Sequence, residues 1–199
     1  MEDRLTQQMR FLEEADRLKT VLRATTLCDG SRPENSGEHS WHLALYAWIL
    51  GEHGSDEIRI DRVIKMLLVH DIVEIDAGDK PLFGEHDAAS IEADEARAAD
   101  RIFGLLPEDQ ASELRELWNE FEAAESPDAV FAKSLDRFQP PNQNLSSGGG
   151  SWLDFDVSID KIDQRVGSKV RRGAPALWNW IAPRIAAFFE SHPTLAQRK

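Results

Sequence analysis

Cysteine is nearly missing from this sequence: Cys28 is the only one among 199 residues. No intrachain disulfide can form, and a cysteine-rich zinc site is excluded. One thiol suits a reducing cytosol. Positive charge is also scarce, with 23 Lys and Arg against 36 Asp and Glu, a formal net charge of -13 and a pI near 4.9. Counterion release needs clustered Lys and Arg, so neither nucleic acid nor an anionic membrane surface is an expected partner. A small anionic substrate stays compatible where a metal ion and a few basic side chains dominate the local field. Long apolar runs are missing too. The longest weakly charged stretch, Trp41 to Gly51, is too short to span a bilayer, and the charged amino terminus MEDRLTQQMRFLEEADRLKT lacks the apolar centre of a secretory signal. The expected location is cytoplasmic.

Alternating β patterns and Asn-Gly hairpin signals are also lacking, and helical periodicity runs almost throughout. The predicted fold is all-α, one domain over residues 1–199, with no internal repeat. A first amphipathic helix is expected over Asp3 to Leu22, followed by a polar loop through Gly30, Arg32 and Pro33. Asn35 and Glu38 have the spacing of a capping box for a second helix, which runs to about Gly51 and, being apolar on most sides, is expected to be central and largely buried. A third helix is predicted over Ser55 to Ile75, a fourth over His86 to Gly104, a fifth from Pro107 to Ala124, and a sixth from Ser126-Pro127-Asp128 to about Phe138. The segment Gln139 to Ser151, QPPNQNLSSGGGS, reads as a long loop, functional or mobile, and its SSGGGS lacks the Lys-Ser/Thr ending of a phosphate-binding loop. Two closing helices, Asp160 to Val170 and Pro175 to Glu190, complete the chain. Trp178, Trp180, Ile181, Ile185 and Phe188 read as packing residues.

The pair His70-Asp71 ends the apolar run Val63, Ile64, Met66, Leu67, Leu68, Val69 and is followed by Glu74 and Gly78-Asp79. On one helix, His70, Asp71 and Glu74 fall within an arc of roughly 100°. Asp71 also continues the stripe Ile64, Leu67, Leu68, Ile72, Ile75, so it is expected to be buried. A buried carboxylate demands a raised pKa, a salt bridge or a metal. His39 lines up with Leu43, Tyr46 and Leu50, and Asp136 shares a face with Ala129 and Ala132. Taken singly, these read as a core histidine and a surface acid. Taken together, His39, His70, Asp71 and Asp136 supply two imidazoles and two carboxylates from three helices, a mixed set suited to one divalent ion (Mn, Fe, Co, Zn or Mg) with open positions. Glu74 is then placed to accept a proton from water or to orient it.

The ordered stretches RPENSGEHS, LLVHDIVEIDAGDKP, LLPED and FAKSLDRFQP, which span most of residues 20 to 145, resemble the HD-domain metal-dependent phosphohydrolases, and within them the YfbR-like 5'-deoxynucleotidases. The resemblance implies a helical HD domain, with the C-terminal helices of residues 153–190 packed on its motif-bearing core. It assigns His39, His70, Asp71 and Asp136 as metal ligands, Glu74 to the attacking water, and Asp79, with Lys80 nearby, to substrate. It also implies removal of the 5'-phosphate from deoxynucleoside monophosphates, often by a homodimer. Arg32, Lys80 and Arg137, with Arg23 and Lys133, are the expected phosphate contacts. Some members of the family carry an Arg-Trp pair before the first ligand; here the stretch reads Leu22-Arg23-Ala24-Thr25-Thr26. Only His86 lies where binuclear members carry two extra histidines, so one metal is expected, with His86 starting a helix and His42 standing in the core or behind the ligands. Other readings are hydrolysis or oxygenation of another small phosphorylated metabolite by the same domain, and a helical binding module that uses the metal for structure.

Overall fold

The computed structural model describes residues 2–84, 87–155 and 157–192. Helix α1 (Arg4–Asp16) is capped by the Asp3 side chain and runs into a 3-10 turn at Arg17–Thr20. The polar stretch expected as a loop then forms a small antiparallel hairpin, β1 (Leu22–Thr26) with β2 (Pro33–Asn35). Five and three residues are too few to show a period-two pattern, so the sequence carried no strand signal there. The hairpin hands the chain to α2 (Ser36–Leu50), where Asn35 and Glu38 form the expected reciprocal capping box.

Helix α2 is not wrapped by the core as its composition suggested. Its inner face buries His39, Ser40, Leu43 and Ala47, while Trp41 and Trp48 are 64% and 73% exposed on the other side. Trp180, expected to pack, is also half exposed and touches Phe138.

The third predicted helix is split into α3 (Ile60–Val69) and the single turn α4 (Glu74–Ala77). Between them the amides of Ile72, Glu74 and Ile75 bond three residues back, to Val69, Asp71 and Ile72. This tightening advances each side chain by about 120° rather than 100°. Past Val69 the predicted stripe therefore loses register, with His70, Asp71, Ile72 and Val73 all buried; Leu68, still on regular α3, is exposed.

Helices α5 (Ala88–Phe103), α6 (Glu108–Ala123) and α7 (Pro127–Ser146) follow. The expected role of His86 at a helix start lies outside the described residues; Asp87 caps α5. Helix α7 overrides the loop reading of Gln139 to Ser151, continuing through Pro140 and Pro141 to Ser146 before a glycine turn and a 3-10 turn at Gly150–Leu153. The prolines leave the carbonyls of Asp136 and Arg137 without helical donors. Buried polar side chains compensate: Gln139 and Gln143 both donate to Glu34, Asn142 to Tyr46 and Asn144 to Ser151. These amides look like loop composition in sequence but serve as ties between elements. Helix α8 (Ile159–Ile162) passes through a π turn at Asp163–Gly167 into α9 (Ser168–Gly173), and α10 (Pro175–Ser191) closes the fold.

Two apolar clusters hold this arrangement. One joins α2, α3, α7 and α10 through Leu43, Leu67, Phe131, Leu135, Ile181 and Phe189; the other joins α1, α5 and α6 to the α3–α4 turn through Phe11, Ile72, Ile102, Phe103 and Trp118. Full burial of each such side chain stabilises by ~1.5–3 kcal/mol. Val69 packs against both clusters, so the His70-Asp71 turn sits at their junction. Among the described residues no helix is long and apolar enough to cross a membrane.

Candidate metal centre

The capping box fixes the start of α2 and so places His39 one turn inside it, fully buried. The tightened turn after α3 points His70 and Asp71 at the same place, and α7 brings Asp136 from the far side. His39 Nε2 lies 3.2 Å from Asp136 Oδ1 and 3.9 Å from Asp71 Oδ2. His70 Nε2 lies 3.8 Å from Asp136 Oδ1 and 3.0 Å from Asp71 Oδ1. The donor atoms of His39, His70 and Asp136 all fall within 4.8 Å of one another. The arc drawn on one continuous helix is replaced by a convergence of three elements, with Glu74 beginning a new turn.

The ring nitrogens show what the cluster fits. His70 Nδ1 donates to the Leu67 carbonyl at 2.9 Å, so in the neutral ring Nε2 carries the lone pair and faces Asp71 and Asp136. That buried Nε2 has no hydrogen-bond partner. An unsatisfied buried nitrogen costs about 1–3 kcal/mol, and an ion is among its ordinary explanations. Two imidazole nitrogens and two carboxylates beside an open cavity fit a divalent cation with room for further ligands.

Electrostatics reinforce the convergence. Burial alone would raise Asp71, but His70, Arg23 and His39 hold it well below the usual carboxylate range. Asp136 is likewise held low against burial, by the Arg137 charge and the His39 hydrogen bond. Burial and the Arg23 charge act to lower His39, yet its bonds to Asp136 and Glu34 carry it up to about 9. Burial and the Asp71 charge push Glu74 up to about 9, while Ser36 Oγ donates to its Oε2 at 2.5 Å. Asp79 is raised chiefly by burial. Gly78, at φ 71°, turns the chain out of α4 to bring Asp79 back beside Arg23, and a side chain would be strained in that conformation.

A cavity of about 1000 Å³ opens from this cluster and is lined by Arg23, Glu74, Asp79, Lys80, Lys133 and Arg137 among others. Pro140, Pro141, Asn144, Ser151 and Trp152 also line it, so the segment read as a loop forms cavity wall from within a helix and a 3-10 turn. Arg32 is not brought to the cavity: it is about half exposed and pairs with Glu38 and the Pro33 carbonyl. Its proximity to the motif in sequence reflects the hairpin's outer side. Arg23, on β1, is the cation at the centre: Nη1 lies 3.0 Å from Asp71, 3.5 Å from Asp79 and 3.8 Å from Glu74.

Sequence reasoning missed Glu34 and Gln139. Glu34 is 1% exposed; its Oε1 accepts from Gln139 and Gln143, and its Oε2 lies 3.4 Å from His39 Nδ1. Burial opposes its ionisation, but His39, Gln143 and Arg23 bring it below its ordinary value. An acid immediately before a capping box was the available signal for Glu34; Gln139 was hidden by the two prolines after it.

The profile of the HD domain family matches residues 15–178. The chain is 33% identical over 130 residues to the human 5'-deoxynucleotidase HDDC2, covering 65% of this chain and 62% of that protein. It is 29% identical over 137 residues to the 5'-deoxynucleotidase hdd1 of Schizosaccharomyces pombe, covering 65% and 66%. The chain thus spans less than two thirds of the length of these relatives. A crystal structure of a predicted metal-dependent phosphohydrolase from Magnetospirillum magnetotacticum MS-1 superposes with a TM-score of 0.88 at 45% identity, covering 95% of this chain and 97% of that one.

Proposed function

This chain belongs to the HD domain family, and from that premise we propose that it is a metal-dependent phosphohydrolase that releases phosphate from (deoxy)nucleoside 5'-monophosphates. The single observation that carries the reading is the convergence of two imidazole Nε2 atoms on Asp136 and Asp71, with the His70 nitrogen buried and unpartnered. In this reading His39, His70, Asp71 and Asp136 hold one divalent cation. When bound, such an ion polarises a phosphoryl oxygen and lowers the pKa of water. Glu74 takes or orients the proton of the attacking water. Its proton is retained chiefly by burial and by the Asp71 charge; a cation held by Asp71 would offset that charge, and Glu74 would then be free to accept a proton. Arg23, Lys80 and Arg137 face the cavity and meet the phosphate, and Asp79 assists the leaving 5'-oxygen or binds the sugar.

The names of the relatives support a nucleotide as substrate, and the residue after Arg23 that lines the cavity is Ala24, where some members of the family carry a Trp. The same reading makes residues 1–199 one domain, places the protein in the cytoplasm and pairs it as a homodimer. The exposed Trp41, Trp48 and Ile49 on α2 support the pairing, and sedimentation at micromolar concentration gives the mass that checks it. The enzymatic test is phosphate release from deoxy- and ribonucleoside 5'-monophosphates by metal-stripped protein resupplied with Mn, Co, Mg or Zn. Metal-dependent release that disappears in Asp71→Ala is expected. Tight metal binding with no release from any monophosphate would overturn the nucleotidase reading and favour a structural metal.

A further inference from the structure

Among the described residues, Gln139 touches a proposed metal ligand, the buried carboxylate behind it and the next histidine along α2. It is fully buried. Its Oε1 lies 3.2 Å from His39 Nδ1, and its Nε2 lies 3.0 Å from Glu34 Oε1 and 3.3 Å from His42 Nδ1. Only one orientation of the amide satisfies these contacts. Glu34 Oε1 also accepts from Gln143 Nε2, at 2.9 Å, so it stands as an acceptor and the NH2 group of Gln139 must face it. The amide oxygen then faces His39, which must present a proton on Nδ1. The second N–H of the amide points at His42 Nδ1, which must present a lone pair.

We propose that Gln139 is the positioning residue of the metal centre: its amide, locked by Glu34, holds the proton of His39 on Nδ1 and leaves the Nε2 lone pair for the cation, while setting His42 in the opposite tautomer. The proposal rests on the metal-centre reading above. Partners of this kind fix ring orientation and donor strength, and their loss costs roughly 10–100-fold in metal affinity. Gln143 also donates to Glu34, at 2.9 Å, so Glu34 keeps a partner when Gln139 is changed.

Mn2+ affinity, measured by calorimetry on Gln139→Met and Gln139→Glu, separates positioning from packing. Gln139→Met keeps the volume but removes the nearer acceptor and leaves His39 Nδ1 only Glu34 Oε2, at 3.4 Å and no longer locked by the amide; a loss of at least about tenfold is expected. Gln139→Glu, protonated toward Glu34, still accepts from His39 and is expected to stay within a few-fold of wild type. Ring-nitrogen NMR of the Zn2+-loaded wild type needs no variant: it should show His39 with its proton on Nδ1 and His42 with its proton on Nε2. Wild-type affinity in Gln139→Met, equal losses in both variants, or a proton on His42 Nδ1 would each overturn the proposal. Failure of the wild type to bind Mn2+ at all would instead overturn the metal-centre reading.

Discussion

The two ends of the cavity are built from different elements and on opposite electrostatic terms: β1, α2 and the α3–α4 turn inside, α5, α6 and the start of α7 outside. At the inner end, Arg23, Asp71, Glu74 and Asp79 each expose 12% or less of their side chains, and His39 exposes none. Every charge there is compensated by another charge. At the outer end Lys80 is exposed, Glu95 is partly buried, and Lys133 pairs with Glu122 at 3.0 Å. Water supplies much of the compensation there. The lesson is that an inner side chain cannot be removed without stranding its neighbours, whereas an outer one can be exchanged at little cost to the fold.

The sharpest way to press this contrast is Glu74→Gln, which keeps the shape of the inner end and removes its proton acceptor. A fall in kcat of roughly 10²–10⁴-fold is expected with metal affinity nearly retained, checked by steady-state kinetics at saturating Mn2+ beside a metal titration. Next in size is Arg23→Ala. It strips the shared cation from Asp71, Glu74 and Asp79, and urea denaturation of the metal-free protein should show a loss of about 3–5 kcal/mol. A loss below about 1 kcal/mol, the range of an exposed pair, would show that the inner end does not depend on this cation.

Glu95 tests the outer end. Burial and the Glu122 charge push it up to about 7, so the folded chain holds its proton more tightly than the unfolded chain. Between about pH 4.5 and 7 the folded state binds more protons, and stability therefore falls as pH rises through that window. Glu95→Gln removes this slope. The variant should melt above wild type at pH 8 and level with it near pH 4, by at most a few degrees because solvent screens the site. The smallest effect belongs to Arg32→Ala. Its pairing with Glu38 is exposed and lies outside the cavity, so neither KM for the monophosphate nor the melting temperature should move measurably.

Much of the fold was legible because its helices carry strong local punctuation. Asn35 with Glu38, and Ser126 with Pro127, mark starts that the structure reproduces. What escaped detection was set by contacts distant in sequence. The turn at His70 carries no glycine or proline; it tightens where the two apolar clusters meet. Helix α7 runs through two prolines because Glu34, more than a hundred residues earlier, accepts from Gln139 and Gln143 on its buried face. The candidate ligands were legible as residue types with a shared need for compensation, and Asp71 is buried as its stripe implied. Their convergence was not, since the helical arc drawn for them belongs to a helix that the chain breaks.

The most direct test of the central claim is a calorimetric titration of metal-free protein with Mn2+ at pH 7 in two buffers of different ionisation enthalpy. One ion per chain is predicted, with proton release, because His39 is held up to about 9 without metal and must give up a proton to coordinate. Removal of either Asp71 or Asp136 should abolish binding. The absence of binding, or binding that is indifferent to Asp136→Ala and releases no proton, would contradict the account.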